Sequence, residues 1–159
     1  MLLIVGLALF GTVMTRLDSS ALQTQMYQMH VTIGLIVLVL TVARVLWIFV
    51  DVRPESPPEL AGVQKTAFVW NHNLLYVVVL IMVLSGVGML LLSGLGLSPA
   101  NVTPAGIQDI TPRTVHDIVS KVFILLFVIH LGGVIMYQVG EGDTFGRMGI
   151  HWFKGVTQK

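Results

Sequence analysis

Apolar residues run along this chain in long unbroken stretches separated by short polar segments, a pattern that predicts helices surrounded by something other than water. Val31 to Val50 carries one charge, Arg44; Asn73 to Leu97 carries none; Val115 to Val139 holds Asp117 and Lys121 only in its first turns. Each run reaches the roughly 20 residues that a bilayer crossing needs. A fourth run, Met1 to Met14, is uncharged but short of a comfortable span. No basic residue precedes it, which argues against a secretory signal peptide and for a first helix that lacks its opening turn. The expectation is all-α: a transmembrane four-helix bundle forming one domain over residues 1–159, with spans near 1–15, 27–50, 70–95 and 114–139.

The connections are polar and rich in helix breakers, as loops outside hydrocarbon should be. They run from Arg16 to Gln25, from Asp51 to Lys65 with Pro54, Pro57 and Pro58, and from Ser98 to Arg113 with Pro99, Pro104 and Pro112. Pro112 suits a helix start, where its missing N–H costs nothing. Arg44, Arg53, Lys65, Arg147, Lys154 and Lys159 fall on one side, against Arg16, Arg113 and Lys121 on the other. Basic residues concentrate on the cytoplasmic side, so the second loop and the C-terminus are expected there.

Composition sharpens this. Of 159 residues, 55% are hydrophobic and 11% charged, and mean hydropathy is +0.86. A soluble domain carries about 25% charge. Nine Lys and Arg nearly cancel eight Asp and Glu, leaving no basic face for a nucleic-acid backbone. Without cysteine there is no disulfide, thiolate metal site or iron–sulfur cluster, so any metal must be held by His, Met or carboxylate.

Four of the five histidines, His30, His72, His116 and His130, lie within or at the mouths of the apolar runs, where ionisable groups are costly and functional by default. One alone would read as an imidazole bonded to a backbone carbonyl; four with regular spacing ask for more. His116 and His130 are fourteen residues apart. On a helix that is about 21 Å of depth and within roughly 40° of the same face. His30 opens the second span at the level of His116, because neighbouring spans run antiparallel. Arg44 lies fourteen residues beyond His30, on nearly the same face and level with His130.

Paired neutral imidazoles at two depths, with an Arg nearby and no carboxylate cluster, fit haem b, whose iron takes two axial His and whose propionates want cationic partners. Zinc and di-iron centres fit less well, since both favour added carboxylates and no span interior has one. Gly86, Gly88, Gly132 and Gly133 would admit a flat ring or a close helix, and small residues also serve helix packing alone. Met26, Met29, Met89 and Met136 read as packing or lipid-facing residues. His151, with Trp152 and Phe153, reads as an interfacial tail anchor.

Motif by motif, the chain resembles the bacterial cytochrome b561 family of four-helix di-haem proteins. Met29-His30-Val31-Thr32-Ile33-Gly34, Val42-Ala43-Arg44-Val45 and Pro54 to Pro58 resemble its second-helix block. Asn71-His72-Asn73-Leu74-Leu75-Tyr76 with Ser85-Gly86 resembles the third helix; Val115-His116-Asp117, His130 and Gly142-Asp143-Thr144-Phe145-Gly146-Arg147-Met148 resemble the fourth helix and its exit. The resemblance implies an outer haem on His30 and His116. It implies an inner haem on His130 and a helix-one His; Met1 to Met14 holds none, so that ligand would lie upstream or His72 would replace it.

The resemblance further implies an inner-membrane electron carrier between a periplasmic donor, a small molecule such as superoxide or a protein, and the quinone pool, with ubiquinone as a candidate substrate. Arg44 would balance propionate charge, and Lys121 would draw an anionic donor, hold a propionate or simply snorkel to the interface. Tyr137 and Gln138 stand where members handling superoxide carry His near a quinone site. Competing readings are a haem-b anchor subunit for a partner dehydrogenase or hydrogenase, a haem-free structural or assembly protein, and a divalent-metal transporter. Transport sites usually sit at the midplane, whereas these His lie toward the two faces.

Overall fold

The computed structural model describes residues 2–18, 20–50 and 62–140. Its elements are α1 (Leu2–Met14), α2 (Ala21–Val50), α3 (Gly62–Leu92) and α4 (Thr111–Gly140), with single 3₁₀ turns at Pro99–Asn101 and Ala105–Ile107 between α3 and α4. No strand occurs among the described residues. The fold is a helical bundle, and α2, α3 and α4 are long and apolar enough to cross a membrane. α1, at 13 residues, is about 20 Å long.

The long helices begin earlier than the hydropathy pattern predicts, by six residues in α2, eight in α3 and three in α4. Hydropathy marks only the part of a helix in hydrocarbon, whereas helices continue into the interface until something stops them. At α2 the stop is Ser20, whose Oγ accepts the Gln23 backbone N–H at 3.2 Å as an N-terminal cap. Pro112 sits in the first turn of α4, where proline is tolerated. The Asp51–Lys65 connection up to residue 61, the Gly142–Met148 motif and the His151 tail lie outside the described residues.

Contacts divide the chain into two compact units. The first takes its described residues from 2–50 and 76–124; the second takes them from 62–75 and 125–140. In the first, Met14, Tyr27, Leu90, Val102 and Ile107 form a buried cluster at one end of α1, α2 and α3. Two of its members come from the α3–α4 connection, so that loop is part of the core. Gly94 and Gly96 make the sharp exit from α3 with φ of 74° and 66°, a left-handed backbone that glycine adopts without steric cost. Gln28 Nε2 on α2 donates to the Ala100 carbonyl at 3.1 Å and fastens the loop down.

Outside such clusters the helices present apolar side chains outward, among them Leu46, Phe49, Val50, Leu92, Met136 and Val139. In water that surface would drive association; in lipid it is the solvent-facing side.

Candidate haem site

In the first unit, α2 contributes His30 and α4 contributes His116, both half-buried, and their ring centroids lie 6.2 Å apart with planes crossed at 79°. Two imidazoles on opposite sides of one metal, each bonded at about 2 Å, place their ring centres about 6 Å apart. The donor set and spacing therefore fit the haem iron that the sequence resemblance implies.

His116 is held by one stretch of α3. Its Nδ1 lies 3.0 Å from the Met82 carbonyl and 3.1 Å from Ser85 Oγ. The Ser85 hydroxyl gives its own proton to the Met82 carbonyl at 2.8 Å, so Nδ1–H is the donor to both oxygens and Nε2 keeps the free lone pair. A metal-binding histidine is normally oriented through its second nitrogen in this way. A Cβ on Gly86 would stand 3.7 Å from His116 Cε1, ordinary van der Waals contact, so glycine here widens the cradle slightly.

His30 is placed differently. Phe10 on α1 lies parallel to its ring, 7° off, with centroids 6.5 Å apart. A Cβ on Gly11 would come within 3.3 Å of His30 Cε1, tight enough that the ring would have to give by a few tenths of an ångström. His30 Nδ1 is buried and has no hydrogen-bond partner among the described residues. One imidazole of the pair is thus fixed by hydrogen bonds and the other by packing.

The second unit brings His72 of α3 against His130 of α4, both half-buried, with ring centroids 4.8 Å apart and planes at 84°. That separation is shorter than opposite coordination of one metal requires. His72 Nδ1–H donates to the Phe68 carbonyl at 2.8 Å, and the Phe68 ring packs on it at 4.3 Å. Beside it, Asn71 Nδ2 donates to the Leu126 carbonyl at 3.2 Å, joining α3 to α4, while Asn71 Oδ1 is buried with no partner among the described residues.

Arg44 is exposed, and its Nη2 donates to the Tyr76 hydroxyl across a long 3.4 Å. Lys121 forms an ion pair with Asp117 one turn earlier on α4, at 2.7 Å, with both side chains largely exposed. An added Cβ at Gly88 would touch Pro112 at 3.5 Å, whereas one at Gly132 or Gly133 would meet nothing within 4 Å. Met26 packs against the buried cluster, and Met29 and Met136 are exposed. Among the described residues no three His, Asp or Glu side chains gather as metal ligands.

Ser85, Phe10 and Gly11 shape this site without having been singled out from the sequence. Ser85 stood inside a recognised motif with no role, and only its reach across to α4 gives it one. Phe10 and Gly11 sit in a uniformly apolar run in which no position stands out.

Searches of curated proteins and of solved structures find no match to this chain. A family model described as prokaryotic cytochrome b561 matches residues 1–149, nearly the whole length and including all four intramembrane histidines. The chain belongs to the prokaryotic cytochrome b561 family.

Proposed function

We propose that this protein is a bacterial inner-membrane cytochrome that passes electrons from a donor on the periplasmic side to the quinone pool. Membership of the family brings haem b and membrane electron transfer; the direction, donor and acceptor are our reading. The observation that carries it is the His30–His116 pair, with ring centroids 6.2 Å apart. When bound, haem b supplies one-electron chemistry at its iron.

The residues do the rest. His30 and His116 would hold the iron from α2 and α4, Met82 and Ser85 fix the tautomer that keeps His116 Nε2 available, and Phe10 walls one side of His30. Arg44 supplies the positive charge that a propionate needs. His130 is assigned to a second haem. His72, in direct ring contact with His130, would sit beside that ligand, and we assign it the role of neighbour to it. Superoxide or a protein donor would supply the electrons, with ubiquinone as their acceptor.

The test is the haem-to-protein ratio and dithionite-reduced spectrum of the purified protein beside His30→Ala and His116→Ala. Each substitution should remove one haem equivalent. A wild-type protein expressed with ample haem and showing no Soret band would overturn the assignment.

A further inference from the structure

The two imidazoles of the His30–His116 pair are not equivalent. His116 Nδ1–H has two acceptors, the Met82 carbonyl and Ser85 Oγ, whereas His30 Nδ1 has none among the described residues. Ser85 is buried, at 8% exposure, and belongs to α3, which supplies neither imidazole. A helical serine often returns its proton to a carbonyl three residues back, as Ser85 does to Met82. What that habit does not explain is the neighbouring helix's imidazole resting within 3.1 Å of the same hydroxyl.

From this geometry, and resting on the haem assignment above, we propose that Ser85 is a positioning residue that tunes the haem through His116. By accepting from Nδ1–H alongside Met82, its oxygen draws the proton outward and makes His116 the more electron-donating ligand of the pair. Stronger donation to iron favours the oxidised state, so Ser85 holds the reduction potential of this haem down and slows its release. Met82 contributes through its backbone and is present whatever its side chain, leaving Ser85 as the element of the cradle that side-chain substitution can remove.

The experiment compares wild type, Ser85→Ala and Ser85→Thr as full-length haem-loaded proteins in detergent. Potentiometric titration reads the midpoint, and transfer to an excess haem-scavenging apoprotein reads release. Because Met82 remains, Ser85→Ala should retain haem but release it about tenfold faster, the low end for loss of such a partner. Its midpoint should move upward, and Ser85→Thr, which keeps the hydroxyl, should restore both readings. An alanine variant with unchanged midpoint and release overturns the proposal. So does a threonine variant that departs from wild type as far as alanine does, which covers the case in which alanine fails to fold. Absence of a b-type spectrum in wild type would instead remove the haem assignment itself, and is seen before any variant is compared.

Discussion

His30 is seated by shape where His116 is seated by hydrogen bonds, and the two respond differently to substitution. Gly11 lets α1 approach the His30 ring so closely that a single added carbon would need a few tenths of an ångström of adjustment. Among the described residues, no Nδ1 hydrogen bond holds that ring against a push. Gly11→Ala should therefore retain haem with a small perturbation. Gly11→Val, with branched bulk in the same place, should cost about 1–3 kcal/mol of overpacking and displace His30. Haem content measured beside far-ultraviolet circular dichroism checks this: the valine variant should lose haem while keeping its helicity.

At the scale of elements, one polar side chain ties the end of α1 to the start of α2 beside the apolar packing of Met14 and Tyr27. Gln23, at 7% exposure, donates through Nε2 to the Leu17 carbonyl at 2.9 Å and to the Met14 carbonyl at 3.3 Å. These are carbonyls at and just past the end of α1, which have no helical partner. Gln23→Leu keeps the approximate volume but leaves both oxygens unpaired, at a cost of about 1–3 kcal/mol. Thermal unfolding in detergent should shift to lower temperature, with haem release preceding loss of helicity because α1 carries Phe10 and Gly11. An unchanged midpoint would mean that apolar packing, including that of Met14 in the buried cluster, holds α1 without Gln23.

For the molecule as a whole, each histidine pair is completed within its own compact unit. His72→Ala and His130→Ala should accordingly leave the absorption and midpoint of the His30–His116 haem unchanged, and His130→Ala alone should abolish a second haem. Reduced-minus-oxidised spectra of the two variants read this directly. Loss of the first haem with either substitution would show that the sites are not independent.

Much of this was legible in the chain. Apolar run length is set by the thickness of hydrocarbon and needs no tertiary information, so the three long helices, their lipid-facing surfaces and the presence of His30, His72, His116 and His130 within them follow from sequence. The alternating direction of successive spans also set His30 level with His116, and helical periodicity set His116 and His130 on nearly one face. It did not set the early helix starts, because interfacial residues such as Gln23, Thr24 and Gln25 are polar yet helical. Nor did it distinguish a pair 6.2 Å apart from one 4.8 Å apart, since that difference depends on how neighbouring helices approach and rotate, which no repeat along one chain encodes. The tertiary structure alone decided that Ser85 reaches His116 from α3, that Gly11 meets His30, and that Val102 and Ile107 turn a connecting loop into core. Each is a contact between segments distant in sequence, where partners are chosen by packing in three dimensions.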